Sequence, residues 1–367
     1  MLKLPPLSLY IHYPWCVKKC PYCDFNSHQA DDDQGYIEAL LADLEQDREH
    51  IQGRAIESIF IGGGTPSLLS VQSLEKLLAG LEDKLVFTPN MEITLEANPG
   101  TVEQEKFRDF KALGVNRLSL GVQSFNNQHL QALGRIHSAD EALAASEMAL
   151  SLFDNVNLDL MYGLPKQSLA QCLADVHQAL ALGPQHLSFY QLTLEPNTYF
   201  AKYPPALPKT DEVWQMGEQG ANLLEASGLA RYEVSAYGRA AKHNLNYWHF
   251  GDYLGLGAGA HGKITNIKSN QIIRTLKPKS PSQYLSNNTA KVHEIENLAF
   301  DFMLNALRLK VGFDISLFSQ RTGLALSSIE TQLAKAQDLG LIEREQDWIR
   351  PSAQGYNFLN NLQELFL

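Results

Sequence analysis

The chain has 367 residues, 44% of them hydrophobic and 19% charged, enough for one large domain and a small one with a core that needs no disulfides. Its formal net charge of -11 has the wrong sign for a protein that neutralises phosphates, so nucleic acid is not an expected partner. No apolar run reaches the ~18 residues of a membrane span, and the start MLKLPPLSLYIH lacks a signal peptide's apolar stretch, so a cytoplasmic protein without a transmembrane segment is expected.

From residue 7 to about 240, short apolar strands alternate with amphipathic helices, the pattern of βα units around a parallel sheet. The expected strands are Leu7 to His12, Ile56 to Ile61, Met91 to Ala97, Asn116 to Val122, Asn155 to Met161 and His186 to Thr193. Helical stripes follow them, as in Tyr36 to Ile51 with Ile37, Leu40, Leu41, Leu44 and Ile51. Six such units suit an open, partial (β/α)6 barrel. Side chains alternate along a strand, so Tyr10, His12, Glu92, Glu96, Ser119, Gln123, Asn157 and Asp159 are expected to face the barrel interior while their apolar neighbours pack under helices. Of these, Glu96, Gln123 and Asp159 fall near the C-terminal strand ends, where barrel enzymes keep their chemistry.

The chain divides into an α/β barrel (1–240), a connecting segment (241–295) and a separate C-terminal part (296–367). In the last, helices are expected at Glu296 to Leu309, Ile315 to Arg321 and Ser327 to Leu339, then a ribbon near Leu341 to Arg350 and a final helix. That order is winged-helix-like. Glu330, Lys335 and Asp338 make its third helix a poor DNA reader, and packing or partner docking is the expected role. The stretch GLGAGAHG at Gly255 to Gly262 is read as a close backbone approach at the barrel mouth, because a GxGxxG-like pattern alone is weak evidence for a nucleotide.

Three of the four cysteines, Cys16, Cys20 and Cys23, crowd into one loop after the first strand with spacing C-x3-C-x2-C. Clustered thiols without an export signal read as metal ligands or redox groups. Three thiolates can hold three irons of a cubane and leave the fourth open. Zinc, with His12 or His28 as a fourth ligand, is the alternative that spacing leaves standing. Cys172 lies on the apolar face of a helical segment with Leu169, Leu173, Val176 and Leu180, and is expected to be core.

CVKKCPYC, with Tyr22 before the third cysteine, resembles the radical S-adenosylmethionine (SAM) superfamily. In that superfamily the open iron of a 4Fe-4S cluster chelates SAM, and an electron from the cluster splits it to methionine and a 5'-deoxyadenosyl radical. GGGTP at Gly62 to Pro66, EANP at Glu96 to Pro99, GVQSF at Gly121 to Phe125, GRIH at Gly134 to His137 and DLMYGLP at Asp159 to Pro165 resemble the oxygen-independent coproporphyrinogen III oxidase family within it, nearly end to end. The resemblance implies a partial radical SAM barrel, an electron donor, and SAM contacts from Tyr10, Gly63, Gly64, Thr65, Glu96, Gln123, Arg135 and Asp159.

Two departures bear on the activity. Oxidases of the family carry a further cysteine two positions after the third, where Phe25 stands here, and only nine residues precede Tyr10, so the N-terminal segment that covers the porphyrinogen is not expected. His243 to Trp248 reads HNLNYW, which matches the HNxxYW motif of the family's heme-chaperone branch, whose members bind heme and deliver it to acceptor proteins. That resemblance implies heme and a heme-accepting protein as partners and makes His243 a candidate iron ligand, with imidazole the donor and Tyr247 and Trp248 offering flat faces. The motif follows the sixth strand by about fifty residues and is expected at the barrel's outer or mouth region. Oxidative decarboxylation of coproporphyrinogen is the alternative activity.

Overall fold

The computed structural model describes residues 2–29 and 35–367, with the side chains of residues 101–103 outside that description. Alternating strands and helices build the barrel: β1 (Leu7–Tyr13), α1 (Tyr36–Gln46), β2 (Ile56–Gly63), α2 (Val71–Glu82), β3 (Phe87–Ala97), α3 (Thr101–Ala112), β4 (Arg117–Gln123), α4 (Ala139–Leu152), β5 (Val156–Tyr162), α5 (Leu169–Leu182), β6 (His186–Gln191) and α6 (Thr210–Ala226). Strands β1 to β6 pair in parallel, in chain order. Helix starts follow local chemistry: Ser138 and Ser168 close capping boxes with Glu141 and Gln171 at the heads of α4 and α5.

Alternation along the strands separates two surfaces. Leu7, Leu9 and Ile11 of β1, with Ile59 and Ile61 of β2, are buried in the core beneath the helices. Their alternates turn inward and bond across strands: Ser8 Oγ meets Ser58 Oγ at 2.8 Å, and Asn157 Nδ2 donates to Ser119 Oγ at 2.8 Å. Cys172 is 1% exposed in the α5 face of this core, and burial, with Asp175 nearby, pushes its thiol up to about 12. It is packing, as its helical stripe predicts.

Residues 241–295 do more than connect. After helix α7 (Lys242–Trp248), strand β7 (Asp252–Leu256) pairs in parallel with the free edge of β1, and β8 (His261–Asn266), β9 (Gln271–Leu276) and β10 (Lys291–Glu294) extend the same sheet antiparallel. The sheet therefore has a seventh parallel strand that the six-unit expectation lacks. Gly255 and Gly257 obscure its apolar alternation, and their smallness has a cause. Gly257 has φ +107°, and a Cβ there would sit 2.4 Å from the His12 carbonyl oxygen. The glycine stretch is thus a close backbone approach against the end of β1.

A second core holds the C-terminal part. Helices α8 (Leu298–Ala306), α9 (Ile315–Thr322) and α10 (Glu330–Asp338) pack with strands β11 (Phe313–Asp314), β12 (Ile342–Glu345) and β13 (Trp348–Pro351), in sheet order β11-β13-β12. This helix-strand-helix-helix-ribbon order is winged-helix-like. Two-residue β11 is too short to carry a periodic signal, and the helices are trimmed by caps: Asn297 accepts from Phe300 N, and Asp314 from Ser316 N.

Candidate functional site

The loop after β1 lies over the C-terminal ends of the parallel strands. It carries Cys16, Cys20 and Cys23, all reduced, on the wall of a cavity of about 560 Å³. Glycines fix the loop's height. Gly64 N donates to Tyr13 O at 2.7 Å and Thr65 N to Trp15 O at 2.8 Å, while a Cβ on Gly64 would meet Trp15 O at 2.4 Å. Gly63 and Gly64 line the cavity, but their smallness is demanded by the root of the thiol loop as well as by anything the cavity holds.

Two histidines weighed as a fourth zinc ligand are engaged elsewhere. His12 uses both ring nitrogens, meeting Tyr10 Oη at 2.9 Å and Asn26 O at 2.8 Å. His28 Nε2 meets Asn26 Oδ1 at 3.3 Å. With the two histidines held in this way, the loop offers three thiols as its sulfur donors, a set that fits three corners of a cubane. Burial raises the Cys16 and Cys23 thiols above their ordinary range, so iron must displace their protons.

Thr65, Glu96, Gln123, Arg135 and Asp159 line the same cavity as the thiols. Glu96 Oε2 accepts from Gly63 N at 3.1 Å; burial, then neighbouring Asp159, pushes its carboxyl up to about 8. Asp159 is also raised by burial, against bonds from Asn157 and Ser188. At neutral pH the pair therefore retains a proton that Glu96 can donate. Arg135 Nη2 donates to Asn98 Oδ1 at 2.6 Å and Gly121 O at 2.9 Å, while Nη1 lies 3.8 Å from Cys20 Sγ. Its Nε is buried without a partner among the described residues. Gln123 has φ +68°, a left-handed conformation that costs a non-glycine residue about 1 kcal/mol or more, and accepts from Tyr190 Oη at 3.0 Å. Strain and orphaned polarity coincide at this cavity. Such a donor set, with two carboxyls, an amide, a guanidinium and glycine backbone, suits a zwitterionic nucleoside such as SAM.

Two residues lie elsewhere. Tyr10 sits lower in the barrel and does not line the cavity; its ring stacks against Phe60 at 6.3 Å. His243 is not at the mouth or on the outside. It is 3% exposed, inside the barrel at the opposite end, where α7 plugs the N-terminal strand ends and its ring stacks on Phe60 at 4.6 Å. Periodicity could not reveal where a helix would dock. Burial, and Arg117 at a distance, push its imidazole down to about 3, and Nδ1 has no partner among the described residues. Asn98, Ser188 and Tyr190 line the cavity and were missed, although the alternation Ser188-Tyr190 against Leu187-Phe189 carried the signal for two of them.

Comparison with known proteins agrees with this geometry. Residues 10–179 match the radical SAM superfamily, and residues 295–358 match the HemN C-terminal domain. The chain is 48% identical to the heme chaperone HemW of Escherichia coli K12 over 100% of both chains. It is 49% identical to the heme chaperone HemW of Haemophilus influenzae over 100% of this chain and 99% of that one. Among solved structures, coproporphyrinogen III oxidase (HemN) from Escherichia coli superposes with a TM-score of 0.81 at 24% identity, covering 99% of this chain and 90% of that one, which establishes a shared fold. Full-length identity at this level places the chain in the HemW family of radical SAM proteins.

Proposed function

We propose that this protein binds heme and hands it to an acceptor protein, with a 4Fe-4S cluster on Cys16, Cys20 and Cys23 and SAM beside it at the C-terminal end of the barrel. The observation that carries the reading is identity along the whole chain to proteins named heme chaperones. In support, the place where oxidases of the wider family have a further cysteine is taken by Phe25, whose ring is 57% exposed at the cavity rim.

Each residue has a defined task in this reading. The three thiolates would hold three irons, and Arg135, anchored on Asn98 and Gly121, would set positive charge beside Cys20 and toward a carboxylate. Glu96, Gln123 and Asp159 would orient the nucleoside part, with Glu96 keeping its proton at neutral pH. When bound, a cluster of this type supplies an electron, which requires a reduced donor protein or small reductant. Reduced thiols and such a cluster suit the cytoplasm. Among the described residues no helix is long and apolar enough to cross a membrane.

The test is anaerobic reconstitution with iron and sulfide, followed by heme titration and product analysis with SAM, reductant and coproporphyrinogen III. Saturable heme binding without decarboxylated product is expected. Robust formation of protoporphyrinogen IX, or no heme binding, would replace the reading.

A further inference from the structure

The helix that carries HNLNYW has two faces, and they do different things. On the inner face His243 stacks on Phe60, and Tyr247 meets His243 edge-on at 4.4 Å. Lys242, Leu245, Asn246 and His249, at i, i+3, i+4 and i+7, form the outer stripe. This stripe is one wall of an open groove of about 750 Å³ whose other wall is α9 of the C-terminal domain, with Leu317, Gln320 and Arg321. That volume lies within the ~300–1,000 Å³ of small-molecule and cofactor sites.

We propose that this groove, between α7 and the winged-helix-like domain, is the heme site, with the His249 imidazole as iron ligand and Lys242 and Arg321 facing the propionates. The inference rests on the heme-binding reading above and locates its cargo. Four observations carry it. His249 is half-buried, and its ring makes no hydrogen bond among the described residues, whereas His12, His137 and His186 are each bonded through at least one nitrogen. Arg321 donates through Nε to His249 O at 3.3 Å, which seats a guanidinium beside His249, with no carboxylate bonded to it among the described residues. Among the described residues Lys242 Nζ bonds the Asn90 carbonyl, and Arg321, though Asp252 and Glu57 act on it at a distance, bonds no carboxylate, so both cations can face an anion. Trp348, 42% exposed, and Leu317 supply flat and apolar surface for a macrocycle.

Glu57 and Asp314 also border the groove. Asp314 is engaged in capping α9, with Ser316 N at 2.8 Å. Burial, and then Arg321, lowers the His249 pKa from its ordinary value, which favours the neutral imidazole that iron binds. His243, by contrast, could reach a porphyrin only if α7 left the barrel. The groove borders Pro6, ahead of β1, and Glu57, at the start of β2, so it lies at the end opposite the thiol loop, about 20 Å away along a seven-residue strand.

The experiment is hemin titration of the reconstituted full-length protein, followed by absorption and EPR spectra, for wild type, His249→Ala, Lys242→Glu and His243→Ala. Partners of metal ligands alone are worth about 10–100-fold in affinity, so loss of the ligand itself in His249→Ala should weaken heme binding by at least about tenfold. Its ferric heme spectrum should change and be restored by added imidazole. Lys242→Glu, at an exposed position, should weaken binding several-fold with an unchanged ligand spectrum. Cluster absorption should be unaltered in both. Wild-type spectrum and affinity in His249→Ala, or a ligand change confined to His243→Ala, would overturn the site while leaving heme binding intact. No heme binding by wild type would instead overturn the proposed function.

Discussion

The two ends of the barrel are built on opposite plans. At the C-terminal end, thiols, carboxyls and a guanidinium surround a cavity, one residue is held in a strained conformation, and glycines hold the loop above it at backbone contact distance. At the N-terminal end, a helix closes the barrel with aromatic rings over buried His243, Glu92 and Arg117, and its outer stripe faces a groove. The first end has the chemistry that would suit a charged nucleoside; the second is packed by rings. A chain of contacts joins them. His243 stacks on Phe60, Tyr10 lies 6.3 Å from both rings, Tyr10 Oη meets His12 Nδ1, and His12 Nε2 meets Asn26 O in the thiol loop. These contacts run unbroken from α7 to the loop that carries the three thiols.

The largest contrast is in the thiols. Cys16→Ser, Cys20→Ser or Cys23→Ser should each abolish the broad visible absorption of the reconstituted cluster, while Cys172→Ser leaves it, because Cys172 is buried in α5 away from the cavity. A lost cluster in Cys172→Ser would break the assignment of one end to metal and the helical core to packing.

Next in size is the glycine support. Gly257→Ala should lower stability by about 3 kcal/mol or more, since strain at positive φ adds to a contact of 2.4 Å with the His12 carbonyl. Gly228 also has positive φ but meets nothing within 4 Å, so Gly228→Ala should cost only about 1 kcal/mol. Denaturant midpoints compare them directly. Equal losses would show that the glycine stretch is not a close-packed support for the end of β1.

A smaller effect is expected at Arg135. Lysine keeps the charge but cannot make the paired bonds to Asn98 and Gly121 while facing Cys20. Arg135→Lys should therefore weaken SAM binding by about tenfold, roughly 1.4 kcal/mol, with iron content preserved. Calorimetry on the reconstituted protein measures this, and an unchanged affinity would confine Arg135 to holding the loop.

Legibility followed the same division. The thiol cluster could be read because all three cysteines fall within eight residues, and Glu96, Gln123 and Asp159 because strand alternation is local. Tyr10 shares their inward face but not their height, and alternation reports a face without a depth. The position of β7 was hidden because it pairs Asp252 with Leu7, a contact made only once the whole barrel exists. His243 failed for a related reason. Helical spacing separates the inner pair His243 and Tyr247 from the outer stripe, but which side meets the barrel is decided by the rings of Phe60 and Tyr10, far away in sequence.

The last predicted effect isolates the closed end. The His243 imidazole is lowered from 6.5 to about 3, first by burial and then by Arg117, so the folded state keeps it neutral where the unfolded chain takes up a proton. Between about pH 6.5 and 3 the unfolded state thus binds more protons. Stability from this group is fully present above pH 6.5 and is lost as the pH falls through that window, at about 1.4 kcal/mol per pH unit. Raised carboxyls such as Glu96 act in the opposite sense over part of the range, since their folded forms hold the extra proton. A difference between two proteins removes that background. His243→Phe keeps a flat ring on Phe60 and eliminates the unpartnered Nδ1, so it should match wild type or exceed it slightly at pH 7.5. By pH 5.5 it should be more stable than wild type by a further ~1.4 kcal/mol, measured by urea unfolding. Parallel pH profiles for the two proteins would mean that His243 is solvated in the folded state and that α7 is not the closed plug described above.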